Sequence, residues 1–150
     1  MKKIIVTGAL GYIGTELCKL YSGYSWKYEV IAIDNRFISE RVNELKRRKI
    51  KFVQADILNL SEIKPHIENA DIIHHLAGIT DVAYVKKDSN PEQDEKIKKV
   101  AIQGTQNVLD SMNSNSTIIF PSTHVVFEGL SEPKKDIDEN EKTSTFLAYS

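Results

Sequence analysis

A doubly wound α/β fold built on a parallel sheet is predicted for these 150 residues, from three observations. Five short apolar runs recur at residues 3–7, 29–33, 51–54, 71–76 and 117–121. None alternates strictly with polar residues, as suits strands covered on both faces. Helix-forming stretches fill the intervals at residues 12–22, 39–48, 61–68 and 92–112, so the order is βαβαβαβαβ and the connections are crossovers. A turn with three glycines joins the first strand to the first helix.

The first element, Lys2-Lys3 followed by Ile4, Ile5 and Val6, imitates a signal peptide with Cys18 placed as in a lipoprotein. Gly8, Gly11, Gly14 and Glu16 break that imitation. No later stretch reaches the ~18 apolar residues of a bilayer span, so no membrane is expected and the expected location is cytoplasmic. The single cysteine excludes an internal disulfide and a cysteine-rich zinc site. A formal charge of −1, from 20 basic and 21 acidic residues, excludes a field that gathers nucleic acid.

Further along, the second run, Val30-Ile31-Ala32-Ile33, closes on Asp34, and the third leads to Asp56. Ser61 is expected to cap the third helix. His74 and His75 are neighbours on the fourth strand, so they point to opposite faces and cannot share a metal; they read as packed sheet residues, and no metal site is predicted. Pro91 is expected just before the long fourth helix, whose first turn carries Glu92, Asp94 and Glu95 against the dipole. Residues 128–143 read as an exposed loop, with Asp136, Asp138, Glu139 and Glu141 on a solvated surface. Thr143, Ser144 or Thr145 would cap a last helix that gets only about one turn before Ser150, too little to hold itself together. The chain is therefore expected to be a fragment of a longer protein.

The chemistry is concentrated in Thr7-Gly8-Ala9-Leu10-Gly11-Tyr12-Ile13-Gly14, a GxxGxxG spacing between a strand and a helix. Gly8 permits a tight turn, Gly11 lets backbone approach a diphosphate, and Gly14 lets the helix pack close to the sheet. Free N–H groups and the helix dipole then face the anion, with Tyr12 and Ile13 in the first turn. Asp34 lies 20 residues after Gly14, where a carboxylate accepts hydrogen bonds from ribose hydroxyls and repels a 2′-phosphate. The expected cofactor is NAD, with NADP disfavoured; Arg36 is the one feature that suits a 2′-phosphate. This is the arrangement of a Rossmann fold.

With these residues in view, the chain resembles the extended short-chain dehydrogenase/reductase family, the NAD-dependent sugar epimerases and dehydratases. The likeness runs over the whole length, through the glycine loop, Asp34-Asn35, Asp56-Ile57 and His75-Leu76-Ala77-Gly78. It implies that Asn35 accompanies Asp34 at the cofactor, that Asp56 and the Ile57 backbone reach the adenine, and that Leu76, Ala77 and Gly78 lie along the cofactor. It also matches Pro121-Ser122-Thr123 to the family's serine-rich segment, with Thr123 as the catalytic hydroxyl and Ser122 beside the nicotinamide. Ala148-Tyr149-Ser150 is similar to the opening of the YxxxK motif, which makes Tyr149 the acid/base and puts the lysine three residues past Ser150.

The chain departs from the family pattern at Ala101, where an asparagine is usual, and at Phe127 and Glu128. The implied function is an NAD-dependent epimerase, dehydratase or reductase acting on a nucleotide-sugar, with residues 1–150 as its NAD-binding domain and the substrate lobe outside the chain. Homodimers through two helices of each subunit occur in the family. The alternative is a catalytically silent dinucleotide-binding sensor or scaffold, at which Ala101 hints. If residues 1–150 are the complete product, weak NAD binding without turnover is expected.

Overall fold

The computed structural model describes residues 1–80 and 91–122, with only the backbone of Pro91. The elements are β1 (Lys2–Thr7), α1 (Tyr12–Ser22), β2 (Tyr28–Asp34), α2 (Ser39–Arg47), β3 (Lys51–Gln54), α3 (Leu60–Ile67), β4 (Ile72–His75), α4 (Pro91–Lys99), α5 (Thr105–Ser111) and β5 (Thr117–Ile119). One wholly parallel sheet carries the strands in the order β3-β2-β1-β4-β5. Chain progression therefore reverses between β1 and β4, and the crevice at the carboxyl ends of these two strands is where α/β sheets of this kind bind ligands.

Period-2 geometry explains why the strands read as unbroken apolar runs. Ile4 and Val6 of β1 and Val30 and Ala32 of β2 face one layer with Cys18 of α1 and Val42 and Leu45 of α2. Ile5, Ile31, Ile33 and Ile73 face the other, with Ile63 and Ile67 of α3 and Val108 of α5. Cys18 is a buried packing residue of the first layer, its thiol pushed up to about 12 by burial.

Two local expectations are corrected and a third gains a detail. Asn59 occupies the N-cap of α3 and its carbonyl accepts from the amides of Glu62 and Ile63, whereas Ser61 lies inside the first turn and donates its hydroxyl to Asn59 Oδ1 at 2.8 Å. Pro91 is the first residue of α4, where its missing N–H costs no helical bond. The predicted helix over 92–112 runs without interruption over 91–111 and contains a π-helical turn, Val100–Gly104, which includes Ala101. A Cβ on Gly104 would collide with the Ile57 side chain, so the glycine sets how closely this helix approaches the loop after β3. The expected loop at 128–143 and the last helix lie outside the described residues.

Candidate functional site

The turn after β1 is shaped by two glycines. Gly8 sits at φ +66°, and a Cβ there would lie 2.6 Å from the Leu76 carbonyl oxygen and 2.7 Å from the Ala77 nitrogen. The first turn is thus pressed against the loop after β4, on the other side of the sheet's reversal point. Gly14 packs α1 onto the same turn, because a Cβ would be 2.8 Å from the Ala9 Cα and would collide with the Gly8 carbonyl.

At Gly11 the chain turns into α1, its amide donating to the Gly8 carbonyl at 2.9 Å. Gly11 is the N-cap, and no side chain caps the helix. The first intrahelical donor is Thr15, to the Gly11 carbonyl at 3.0 Å. The amides of Tyr12, Ile13 and Gly14 are therefore left with no intrahelical acceptor, at the positive end of the helix dipole. Tyr12 is 84% and Ile13 62% exposed, so the helix opens toward solvent.

Asp34 is 4% exposed and holds this turn from below. Its Oδ2 accepts the Leu10 amide at 2.9 Å, and its Oδ1 accepts the Arg36 amide at 3.0 Å. The Arg36 guanidinium closes over the same carboxylate, Nε to Oδ1 at 3.0 Å and Nη2 to Oδ2 at 3.2 Å. That pairing raises the affinity of the guanidinium for its proton. Arg41 donates to the Leu10 carbonyl, so both polar groups of that peptide are engaged.

The next strand tip is joined to β2 by side-chain amides: Asn35 Nδ2 donates to Asp56 Oδ2 at 3.3 Å, and Gln54 Nε2 to the Asn35 carbonyl at 3.2 Å. Asp56 Oδ1 accepts the Leu58 amide at 2.9 Å, closing an Asx-type turn. The Ile57 carbonyl accepts Asn107 Nδ2 at 2.8 Å, and Asn107 Oδ1 in turn accepts Gln103 Nε2 at 2.9 Å, which fixes the orientation of the Asn107 amide.

Beyond β4, the Leu76 amide is shared between the Thr7 carbonyl and Thr7 Oγ1, both at 3.2 Å, and the Ala77 amide donates to Thr7 Oγ1 alone, at 3.3 Å. Gly78 has nothing within 4 Å of where a Cβ would stand, so open space borders its backbone. His74 bonds Tyr21 on the α1 side through Nε2 at 2.8 Å, and His75 faces the α5 side toward Thr105. Burial holds the imidazole of His75 down at about 4 and lowers that of His74. Among the described residues no group of three or more His, Cys, Asp or Glu is arranged to hold a metal, and no helix is long and apolar enough to cross a membrane.

The sequence-derived site residues thus fall into three loops at one end of the sheet: 8–14 with Asp34, Asn35 with Asp56 and Ile57, and 76–78 against Gly8. Ser122 is exposed just after β5. Thr123 and Tyr149 lie outside the described residues. Sequence reasoning missed Thr7 and Asn107, which hold loop backbone, and Thr105, which meets the His75 imidazole. Small polar residues at a strand end or inside a helix give no signal until their partners are known.

Comparison with known proteins gives one further set of observations. The model of the 3-beta hydroxysteroid dehydrogenase/isomerase family matches residues 5–149. A CDP-paratose 2-epimerase of Salmonella typhi is 29% identical over 150 residues, covering 94% of this chain and 42% of that protein. The 3 beta-hydroxysteroid dehydrogenase type 7 of Rattus norvegicus is 25% identical over 115 residues, covering 75% and 32%. The crystal structure of a UDP-glucose-4-epimerase from Stenotrophomonas maltophila, with bound NAD and formylated UDP-arabinopyranose, superposes with a TM-score of 0.69 at 20% identity, covering 99% of this chain and 45% of that one. The chain spans less than half the length of each of these proteins.

Proposed function

The chain belongs to the 3-beta hydroxysteroid dehydrogenase/isomerase family, within the extended short-chain dehydrogenases/reductases, and from that premise we propose that it binds NAD as the dinucleotide domain of an epimerase or dehydratase acting on a nucleotide-sugar. One observation carries the proposal: an uncapped helix N-terminus and a glycine turn, pressed against the backbone of Leu76 and Ala77 at the point where the sheet order reverses. The residues present fit the cofactor. Tyr12, Ile13 and Gly14 offer amides to the diphosphate, and glycine at position 11 keeps side chains out of its path. Asp34 and Asn35 would hold the adenosine ribose, Asp56 and the Ile57 backbone the adenine, and Leu76, Ala77, Gly78 and Ser122 the remaining length.

Bound there, NAD supplies a hydride acceptor that can return the hydride. The protein's part is proton handling and orientation. Tyr149 takes the proton of the sugar hydroxyl, and Thr123 bonds the same oxygen so that both transfers share one geometry. A tyrosine ionises near pH 10 in water, and lowering that by ~3 units requires about 4 kcal/mol, more than one exposed charge supplies. A lysine three residues after Ser150, close to the ring, would contribute part of it. Residues 1–150 are assigned as the cofactor domain, with substrate selection left to sequence outside them.

NAD is proposed over NADP because Asp34 can accept from the ribose hydroxyls once the Arg36 guanidinium swings off it; as placed, four donors occupy its two oxygens. The relatives support a nucleotide-sugar over a steroid, since the CDP-paratose 2-epimerase matches along 94% of this chain and the rat steroid dehydrogenase along 75%. Ala101, in the place of the usual asparagine, favours a second reading, a dinucleotide-binding protein without turnover. Calorimetric titration of the chain with NAD⁺ and NADP⁺ tests the binding. Assay of a longer gene product with UDP-, CDP- and dTDP-sugars and with a 3β-hydroxysteroid tests the chemistry. Tight NAD⁺ binding with sugar turnover is expected; binding without turnover of any substrate supports the silent reading, and no dinucleotide binding contradicts both.

A further inference from the structure

We propose that His75 is a positioning residue: as the neutral Nε2–H tautomer it takes the Thr7 hydroxyl proton, which turns the Thr7 oxygen onto the amides of Leu76 and Ala77, and it ties that turn to α5 through Thr105. The inference rests on the reading of residues 76–78 as lining the cofactor, and it assigns the groups that hold them in place.

Donor and acceptor bookkeeping at six atoms carries the argument. Thr7 Oγ1 lies 3.2 Å from the Leu76 nitrogen and 3.3 Å from the Ala77 nitrogen, and backbone amides only donate, so the oxygen accepts both. The hydroxyl has one proton left to give. His75 Nδ1 stands 2.8 Å away and must receive it, which requires Nδ1 to be bare. In a neutral ring the proton is then on Nε2, and Thr105 Oγ1 at 3.0 Å accepts it. The opposite tautomer, or an imidazolium, would point an N–H at Thr7 and force its oxygen to accept a third bond at the expense of an amide.

The surroundings favour this reading over simple packing. His75 is 1% exposed, and the neighbouring inward residues Ile5 and Ile73 are apolar, so an aliphatic or phenyl side chain would fill the same space. Its outer face stacks on Phe120, with centroids 5.5 Å apart and an interplanar angle of 26°. Ala77 and Gly78 carry too little side chain to anchor themselves, so their backbone depends on what grips it. Burial, which holds the imidazole down at about 4, keeps the ring neutral at physiological pH.

The test uses the 150-residue chain. Nitrogen NMR of the imidazole, without dinucleotide, is expected to show Nδ1 unprotonated and Nε2 protonated at neutral pH. His75→Phe removes both bonds and Thr105→Val only the far one. Both are expected to raise hydrogen exchange at Ala77, whereas Leu76 keeps its bond to the Thr7 carbonyl, and to weaken NAD⁺ binding, by roughly fivefold to tenfold, the worth of about one hydrogen bond. Exchange at Gly23 and Tyr24, remote from the turn, should not change, and unfolding should stay cooperative. A proton on Nδ1, or exchange at Ala77 equal to that of the unaltered chain, overturns the proposal. Should His75→Phe not fold, the tautomer of the unaltered chain and Thr105→Val decide. Should the unaltered chain bind no NAD⁺, the cofactor reading fails while the tautomer and exchange results still decide the role of His75.

Discussion

Asp34 has two duties at the end of β2: its oxygens hold the Leu10 amide and the Arg36 fork, and the same carboxylate is the proposed ribose acceptor. Its position was legible from its spacing to Gly14, because the ribose hangs a fixed distance from the diphosphate. Its grip on Leu10 was not, since that bond exists only once Gly8 has turned the chain back on itself. Asp34→Ala should cost about 1–3 kcal/mol in urea denaturation, because it leaves a buried amide and a guanidinium without their acceptor. His75 gives a pH dependence of definite sign. Its folded-state value of about 4 lies below the ordinary 6.5, so the unfolded chain binds the proton first as pH falls. Stability is full above pH 6.5 and declines toward pH 4 by up to about 3 kcal/mol, with His66 and His74 shifted in the same direction. Denaturation midpoints measured from pH 7 to pH 4.5 should show that slope, and His75→Gln should flatten it.

Among the elements, strands were easier to read than the ends of helices. Buried parallel strands announce themselves by apolar runs, whereas a cap depends on one dihedral angle, which is why Asn59 and not Ser61 begins α3. The π turn at Val100–Gly104 left no trace in the periodicity of the sequence. After α2 the chain closes with the Lys49 amide on the Lys46 carbonyl and the Ile50 amide on the Leu45 carbonyl, at 2.9 and 3.0 Å. This double bond pattern places Lys49 at φ +59°, a conformation that glycine adopts freely and a side chain resists. Lys49→Gly should therefore raise stability by about 0.5–1 kcal/mol, read as a higher urea midpoint at unchanged slope.

For the whole molecule, sheet order decides where the loops meet. Because β1 lies between β2 and β4, the turn at Gly8 touches Leu76 and Ala77 on one side and is tied through Leu10 to Asp34 on the other. The layered fold and the glycine loop with Asp34 were legible in the sequence because glycine spacing, a strand-end carboxylate and apolar runs are local signals, whereas the roles of Asn35, Asp56, Ile57, Leu76, Ala77 and Gly78 came from the family resemblance. Thr123 and Tyr149 rested on resemblance alone and fall outside the described residues. The central claim is that the backbone at residues 8–14 and 76–78 receives a dinucleotide, and amide NMR of the chain during titration with NAD⁺ tests it most directly. The account predicts saturable shifts centred on Tyr12, Ile13, Gly14, Ala77 and Gly78. Shifts confined to other surfaces, or none at millimolar NAD⁺, would contradict it.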